Sequence, residues 1–336
     1  MTNPNLKRRL LAQRLASLTT LATLFSRTSA QTPPPPCCPG ECCPTSIVVP
    51  FPPGGSADFV GRLLAKALEQ ELKTTVVVEN KAGAGGMLGA STVAQGQKTG
   101  GQALLSTNGS LLTSLLIPKP AVSFAKDFQP VALVATAPLA LAVPASSTSN
   151  NLNDLLQSLR ANPGKKQFAS PGPGTTSHLS ATLLLQQSNT TANHIPYRGS
   201  APALTDLMVG VIDFGFFDVA QVAEQVRQGR LRALAVGSST RSNLLPNTPT
   251  LQEQGLKDFE AVEWFGIFTA TGLSSVSSQR WQTAVANAAN NASFRSQLAE
   301  RGLVPQTLRS EAFGQFLNQQ AEKWSAVAQR AGVKLD

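Results

Sequence analysis

The chain has 336 residues, and its Lys and Arg residues outnumber its Asp and Glu residues by 28 to 19, which gives a formal charge of +9. Charged residues make up only 14% of the chain and hydrophobic residues 42%, so the composition excludes a largely disordered protein and can form the cores of two domains. The basic residues are scattered apart from Lys7, Arg8 and Arg9, which argues against a nucleic-acid-binding surface. A basic surface of this kind favours small anions or an anionic membrane face.

The first thirty residues have the pattern of a secretory signal peptide. A basic start with Lys7 and Arg14 precedes the apolar segment LASLTTLATLF at 15–25, and the small residues TSA at 28–30 form a cleavage site. We therefore predict a signal peptide over 1–30 and a periplasmic mature protein. The alternative is a disordered basic tail on a cytosolic protein. No other segment reaches about 18 consecutive apolar residues, so we do not expect the mature protein to span a membrane.

A linker rich in Pro and Cys is predicted over 31–44. The stretch QTPPPPCCPGECCPT contains all four cysteines of the chain, Cys37, Cys38, Cys42 and Cys43. Four thiolates are enough ligands for zinc, but cysteines placed side by side do not give the usual C-x₂-C loops. We expect a flexible tether with local disulfides and no metal, because cysteines of exported proteins are usually oxidised.

The stretch SIVVPFPPGGSADFVGRLLAKALEQEL predicts a strand, a glycine turn and a helix. The β-branched run IVV at 47–49 is typical of a buried strand, and apolar residues at helical spacing begin at Phe59. Asp58 is placed to cap the helix, and Gly54 and Gly55 allow positive φ or a close approach to a ligand. The pattern is equally consistent with two interpretations: a turn that holds an anion at a helix N-terminus, and an ordinary turn that binds nothing.

The same strand, turn and helix pattern returns along the chain. The later turns fall at 106–110, at 170–177, at 197–200 and at Asp218, and LRALAVGSS then supplies another buried strand. This alternation predicts parallel α/β sheets, whose ligands lie beyond the carboxyl ends of the strands. We therefore expect the turns to line one shared cleft.

Two extended apolar stretches interrupt the alternation. They are VALVATAPLALAVP at 131–144 and AVEWFGIFTATG at 261–272, and each is long enough to cross between two lobes. We predict a first lobe from 45–142 and 266–336 and a second lobe from 143–265. The absence of a Gly- and Ser-rich linker between domains favours this double crossover.

A nicotinamide cofactor is not expected, and we predict no cofactor. Gly83, Gly85 and Gly89 of KAGAGGMLGA are spaced one residue wider than G-x-G-x-x-G. The chain also has no Asp or Glu between Glu79 and Asp127 to hold a ribose.

The sequence has few candidates for catalysis. His178 and His194 are its only histidines, and no serine lies in G-x-S-x-G. A Ser-His-Asp site assembled in space stays open, but we expect both histidines to be structural.

Several stretches together resemble a known family. PFPPGGSADFVGRLLA, VVVENKAGAGGMLGA, KDFQPVALVATAPLALAVP, SPGPGTTSHL, HIPYRGSAPALTDLMVG and WFGIFTATG are similar to motifs of the extracytoplasmic solute-binding proteins of tripartite tricarboxylate transporters, the Bug or TctC-like proteins. The resemblance runs from about residue 45 to the C-terminus. It implies a type II periplasmic-binding-protein fold, in which two α/β lobes joined by two crossing strands close on a small ligand.

The resemblance also implies a function and a site. It implies a non-enzymatic monomer that captures a small carboxylate, partly through backbone N–H groups, and presents it to the membrane subunits of a transporter. The implied contacts of the first lobe are Phe51, Gly54, Gly55, Ser56, Asp58, Asn108 and Ser110. Those of the second lobe are Ser170, Gly174, Thr175, Thr176, Tyr197, Arg198, Gly199 and Asp218.

Several alternatives stay open. Asp58 is first a helix cap, and Asp218 either caps a helix or pairs with the ammonium group of an amino-acid ligand. Arg198 either binds a carboxylate or is a surface arginine, and Tyr197 either reaches the cleft or fills core beneath it. A periplasmic sensor and, less favoured, a hydrolase on the same scaffold are the rival functions. A transcription regulator is disfavoured because no helix-turn-helix segment precedes Thr45.

Overall fold

The computed structural model describes residues 45–96 and 100–333. The predicted signal peptide and the linker with its cysteines lie outside these ranges. The strands are β1 (Thr45–Val49), β2 (Val76–Asn80), β3 (Gln102–Thr107), β4 (Phe128–Pro144), β5 (Gln167–Ser170), β6 (Asn193–Pro196), β7 (Phe214–Asp218), β8 (Leu231–Val236), β9 (Val262–Ala270) and β10 (Val304–Arg309). Within the described ranges, no helix is both long and apolar enough to cross a membrane.

The helices alternate with these strands over most of the chain. They are α1 (Ser56–Leu72), α2 (Met87–Gln95), α3 (Asn108–Leu116), α4 (Phe124–Asp127), α5 (Leu152–Ala161), α6 (Thr176–Ser188), α7 (Ser200–Met208), α8 (Val219–Arg227), α9 (Ser275–Asn290), α10 (Ala292–Glu300) and α11 (Ser310–Arg330). A short 3₁₀ turn, Ala84–Gly86, precedes α2. The predicted turns therefore lie where strands give way to helices.

Two helix starts differ from the sequence pattern. Helix α1 begins at Ser56 with Gly55 as its N-cap, so the predicted capping position of Asp58 is wrong: Asp58 lies inside the first turn. Helix α3 follows β3 without a loop, because the Thr107 side chain accepts the N–H of Gly109 and caps the helix directly.

The described strands form one curled sheet in the order β2-β1-β3-β9-β4-β7-β5-β6, with β8 and β10 also paired to β4. β1 runs parallel to β2 and β3, and β5 runs parallel to β6 and β7. The pairs that involve β4 or β9 are antiparallel. The predicted parallel pairing therefore holds at the two ends of the sheet. The two stretches that interrupt the alternation pair antiparallel, because β4 carries the chain out of one group of strands and β9 carries it back.

β4 belongs to both groups of strands. It is 17 residues long and almost continuously buried, which explains why its sequence is apolar without alternation. Its first part pairs with β9 and β10, and its last part, from Leu139, pairs with β7 and β8. β4 and β9 are the predicted crossing strands, and the fold is the predicted type II arrangement of two α/β lobes around a cleft. The lobe boundaries themselves stay a prediction.

Separate apolar cores stabilise the two groups of strands. Ile47 and Phe265 lie in a core beneath α1, and Phe216 lies with Trp324 in a core of the second group. Helix α11 supplies Trp324 to that core and Phe313 to a third core beside β3 and β9. Each fully buried aromatic side chain contributes about 2 to 3 kcal/mol, so α11 helps to fix both ends of the sheet.

Candidate ligand-binding site

Asp58 stabilises the glycine turn between β1 and α1 by hydrogen bonds. Asp58 is 5% exposed, and its carboxylate accepts the N–H of Gly54 at 2.9 Å. It also accepts hydrogen bonds from Arg62 Nε and Asn80 Nδ2, both at 2.9 Å. Burial raises the pKa of Asp58, but the hydrogen bonds from these three donors together outweigh it and hold the pKa below its ordinary value. Asp58 is therefore ionised, and its charge is compensated inside the first group of strands.

The turn leaves its glycines uncovered. Gly54 has a φ of +91°, and no atom lies within 4 Å of where a Cβ would stand on Gly54 or Gly55. Both residues therefore leave open space at the N-terminus of α1, as an anion-binding turn requires, although the Gly54 N–H already bonds to Asp58.

The turn between β5 and α6 is held by its own polar groups. The Thr175 hydroxyl accepts the N–H of His178 at 3.3 Å and donates to the Gly172 carbonyl at 2.8 Å. Gly174, with a φ of +73°, donates its N–H to His178 Nδ1 at 3.1 Å. Ser170 donates to the Gly172 carbonyl at 3.0 Å. These bonds within the turn help to order it.

Two stacked imidazoles adjoin this turn. The rings of His178 and His194 lie 3.8 Å apart and 10° from parallel, and Phe168 stacks on His194 at 4.9 Å. Burial, helped by the neighbouring imidazole, lowers the pKa of His178 to about 3, and burial lowers that of His194 to about 4. Both rings are thus neutral at neutral pH, which fits a structural role.

The second histidine also contacts a predicted site residue. His194 Nε2 lies 2.7 Å from Ser170 Oγ. Among the described residues, no Asp or Glu accepts a hydrogen bond from either imidazole. The pair therefore lacks the acid that orients the histidine of a catalytic triad.

Two hydroxyls of the predicted site are buried at the starts of helices. Ser110 Oγ and Thr176 Oγ1 have no hydrogen-bond partner among the described residues, and the two residues are 0% and 4% exposed. They lie in the first turns of α3 and α6, at the carboxyl ends of β3 and β5. An unpaired buried hydroxyl costs about 1 to 3 kcal/mol, so such a pair at two helix N-termini indicates a place for a polar ligand or water.

A glycine turn packs on the helix that carries Ser110. A Cβ on Gly86 would clash with Ser110 Oγ, and a Cβ on Gly85 would clash with Thr113. Gly85 and Gly86 both have positive φ. Close approach to α3 therefore accounts for Gly85 and Gly86. The sequence analysis considered Gly85 as part of a cofactor motif and included both glycines in a stretch that resembles the family.

Asn108 and Phe51 make contacts that stabilise the fold. Asn108 is 1% exposed, and its amide donates to the Val262 carbonyl at 3.1 Å and accepts the Trp264 N–H at 3.2 Å. The Phe51 carbonyl accepts a hydrogen bond from Asn80, and its ring packs on the core beneath α1. These two residues therefore stabilise the backbone around the site.

The turn after β6 lies beside the turn after β5. Tyr197 donates its N–H to the Ser170 carbonyl at 3.0 Å, and Gly199, with a φ of +109°, donates to the Pro171 carbonyl at 3.1 Å. The Tyr197 hydroxyl donates to Asp206 at 2.6 Å, and burial together with this carboxylate raises the pKa of Tyr197 to about 12. Arg198 is exposed.

Ser56 and Asp218 join the two groups of strands. Ser56 Oγ donates to Asp218 Oδ2 at 2.8 Å. Asp218 is the N-cap residue of α8, as one alternative predicted, but its side chain makes no capping hydrogen bond within the described part of the chain. Ser56 and Asp218 line a cavity of about 240 Å³ together with Gly54, Gly55 and Arg301.

Glu263, opposite Ala137 of β4, is an acidic residue beside the candidate site that the sequence analysis did not consider. It lies on the crossing strand β9, and burial, followed by the charge of Asp218, raises its pKa to about 8, while a hydrogen bond with Thr107 opposes the rise. Burial also raises the pKa of Asp218. The signal was present in AVEWFG, where one acidic residue interrupts an apolar strand.

Known proteins of similar sequence match most of the chain. A Pseudomonas protein encoded in the tcbD–tcbE intergenic region is 34% identical over 95% of this chain and 92% of its own length. Protein BugT of Bordetella pertussis is 33% identical over 87% of this chain and 90% of its own length.

Solved structures match equally widely. The periplasmic binding protein BugD has a TM-score of 0.76 at 31% identity and covers 87% of this chain and 98% of its own. MatC of Rhodopseudomonas palustris, with bound malate, has a TM-score of 0.74 at 27% identity, covering 84% and 98%. The R. palustris protein Rpa4515, with adipate, has a TM-score of 0.79 at 28% identity, covering 87% and 98%.

The family model described as the tripartite tricarboxylate transporter family receptor matches residues 60–333. It spans both groups of strands and every turn of the site from Val60 onward. The chain belongs to this family of solute-binding proteins, as its motifs predicted.

Proposed function

We propose that the chain is a periplasmic solute-binding protein that captures a small carboxylate by closing its lobes and delivers it to the membrane subunits of a tripartite tricarboxylate transporter. The observation that carries this proposal is a pair of buried hydroxyls, Ser110 Oγ and Thr176 Oγ1, that have no hydrogen-bond partner in the described part of the chain. A carboxylate accepts hydrogen bonds from both hydroxyls and from the free N–H groups in the first turns of α3 and α6. One ligand group thereby satisfies donors from both lobes.

The ligand class rests on two similar proteins. MatC has bound malate and Rpa4515 is described with adipate, and both ligands are dicarboxylates. We extend this to a small carboxylate, namely a di- or tricarboxylate, an acidic amino acid or an aromatic acid. Bare glycine turns and helix N-termini recognise the carboxylate itself rather than the remainder of the acid.

The ligand-binding set of the proposal keeps the residues that the family resemblance implies. In this proposal the ligand is contacted directly by the glycine turns, by Ser110 and by Thr176. The residues that hold these groups in position are Asp58, Asn108, Phe51 and Tyr197. The first lobe comprises 45–142 and 266–336, and the second comprises 143–265.

We further propose that the chain acts as a monomer in transport and catalyses no reaction. Membership of a receptor family for tripartite transporters supports transport over sensing. The Ser170–His194 pair, without an acid partner among the described residues, gives no support to the hydrolase alternative.

Thermal unfolding against a panel of acids tests the proposal. The panel contains malate, adipate, citrate, glutamate and benzoate, each with its neutral amide as a matched control. A ligand at a hundred times its dissociation constant adds about 2.7 kcal/mol and raises Tm by several degrees. We expect at least one acid to raise Tm while its amide does not. A flat panel, with no acid released from the denatured protein in mass spectrometry, would contradict the proposal.

A further inference from the structure

The cavity beside Ser56 and Asp218 is bounded by three helix ends. The N-terminus of α1 contributes Ser56, the N-terminus of α8 contributes Gln221, and Arg301 follows the last residue of α10. The cavity has a volume of about 240 Å³, whereas a single water needs about 10 to 15 Å³. A small organic molecule therefore fits between these helix ends.

The cavity lining carries one charge of each sign. Of the described residues that line it, Asp218 and Arg301 are the charged ones. Asp218 accepts a hydrogen bond from Ser56 at 2.8 Å, but within the described ranges neither Asp218 nor Arg301 forms an ion pair. A carboxylate that is partly removed from water is stabilised by a nearby positive charge. The lining is therefore complementary to a molecule that carries both an ammonium group and a carboxylate.

Asp218 and Gln221 occupy the two positions of a capping box at the start of α8. Asp218 is the N-cap residue and Gln221 is the third residue of the helix, and in a capping box such side chains bond to each other's backbone N–H groups. Asp218 makes no such bond here, and Gln221 Oε1 is buried without a hydrogen-bond partner in the described part of the chain.

The two side chains instead serve the cavity that both of them line. Side chains at the N-cap and at the third helical position lie on the same side of a helix start. They therefore bring a carboxylate and an amide oxygen, which are both acceptors, to one part of the cavity. A local rule that is broken without a compensating bond is typical of a functional site.

Arg301 supplies hydrogen-bond donors to the same cavity. Its guanidinium lies 4.5 Å from the centre of the Phe59 ring, and Phe59 also lines the cavity. Stacking on an aromatic ring orients the guanidinium and leaves the N–H groups at its edge free. These N–H groups match the two oxygens of a carboxylate.

We propose that the captured ligand is an amino acid, with its ammonium group between Asp218 and Gln221 Oε1 and a carboxylate on Arg301. The ammonium group donates to both acceptors and compensates the charge of Asp218. A ligand with a methylene group at that position leaves both acceptors unsatisfied. The inference rests on the proposed function, because it names the class of the small carboxylate.

Calorimetry with matched pairs of ligands tests the inference on the full chain. The pairs are aspartate with succinate, glutamate with glutarate, and phenylalanine with 3-phenylpropionate, and the members of each pair differ only in the ammonium group. We expect at least one amino acid to bind about tenfold or more tightly than its partner, which is the effect of one charge-assisted hydrogen bond.

Three variants assign the preference to residues. Asp218→Asn, which keeps an acceptor for Ser56, should weaken binding of the amino acid by about tenfold and should not weaken that of its partner. Gln221→Leu should also act on the amino acid alone. Arg301→Gln should weaken both members of the pair, because both carry the carboxylate.

The matched control is Gln225→Leu. Gln225 lies one turn further along α8, and its Oε1 is also buried without a partner among the described residues, but it does not line the cavity. This change should leave both affinities unchanged.

The outcomes separate this inference from the proposed function. Binding of acids without an ammonium group as tightly as, or in place of, the amino acids would overturn the inference and leave the proposed function standing. An Asp218→Asn variant that melts at the wild-type temperature and keeps the full preference for the amino acid would also overturn it. If no carboxylate binds, in these pairs or in the acid panel, both fail together.

Discussion

Asp58 Oδ2 accepts the backbone N–H of Gly54, four residues earlier, at 2.9 Å, and Asp154 Oδ2 accepts the N–H of Asn150 in the same relation at the same distance. Each carboxylate, in the first turn of a helix, thus forms a hydrogen bond with the segment that precedes that helix. Asp58 is the more buried of the two and also binds Arg62 and Asn80. The same local hydrogen bond should therefore contribute more to stability at α1 than at α5.

This difference predicts unequal losses of stability. Asp58→Asn should lower the free energy of unfolding by about 2 kcal/mol, because it leaves buried donors with a weaker acceptor. Asp154→Asn should lower it by about 0.5 kcal/mol. Because the pKa of Asp58 is held below its ordinary value, its contribution is complete above about pH 4 and is lost as the pH falls through the folded-state pKa. Urea unfolding of both variants at pH 7 measures the two losses of stability. Equal losses would contradict the prediction.

The stacked histidines predict how stability varies in mild acid. The pKa values of His178 and His194 are lowered to about 3 and about 4 in the folded protein, whereas the unfolded values lie near 6.5. The unfolded state binds more protons between these values, so stability rises with pH from about 4 to about 6.5 and then levels off. Each histidine adds at most about 1.4 kcal/mol per pH unit.

Urea unfolding between pH 5 and pH 7.5 measures this slope. His178→Asn, which keeps an acceptor for the Gly174 N–H, should roughly halve the histidine contribution. The chain has only 2 histidines, so the variant with both replaced by Asn reports the slope that carboxyl groups alone produce. An identical slope in this double variant and in the wild type would refute the prediction.

The unpartnered hydroxyls predict opposite effects on stability and binding. Ser110→Ala should leave the free energy of unfolding unchanged or raise it slightly, since no hydrogen bond to any residue within 45–96 or 100–333 is lost. The same change should weaken binding of the acid found by the thermal panel by about 5- to 10-fold, the equivalent of one hydrogen bond.

Ser180 provides the matched control for this test. It is also fully buried without a partner among the described residues, but it lies one turn into α6. Ser180→Ala should preserve both stability and affinity in calorimetry. If Ser110→Ala binds the acid as tightly as Ser180→Ala does, Ser110 is not a ligand contact.

Asn108 is predicted to matter for the fold. Asn108→Ala removes both hydrogen bonds to β9, leaves the Val262 carbonyl and the Trp264 N–H without that partner, and should lower the free energy of unfolding by about 2 kcal/mol. Hydrogen exchange of the Trp264 amide should accelerate. The control is Asn193→Ala, whose exposed amide donates to the Gly164 carbonyl. A loss no greater than that of the control would count against the structural role.

The site shows where sequence reasoning stops. The β1–α1 turn, the turn after β5 and the position of Asp218 were predictable, because glycine, β-branched runs and helical spacing act over a few residues. The role of Asp58 was not, since its partners Arg62 and Asn80 lie one helical turn and one strand away. The position of Glu263 was not predictable for the same reason, because it is set by the pairing of β7 and β9 with β4.

The alternation of strands and helices, the two apolar crossing stretches and the family were predictable, because each depends on local pattern or on motifs read in order. Three features appear only in the folded chain: β4 and β9 run antiparallel to their neighbours, Ser56 meets Asp218, and Ser110 and Thr176 have unpartnered hydroxyls among the described residues. These features depend on contacts between residues far apart in the chain. Hydrogen bonds and burial at such contacts are set by the packing of whole lobes, which no local pattern encodes.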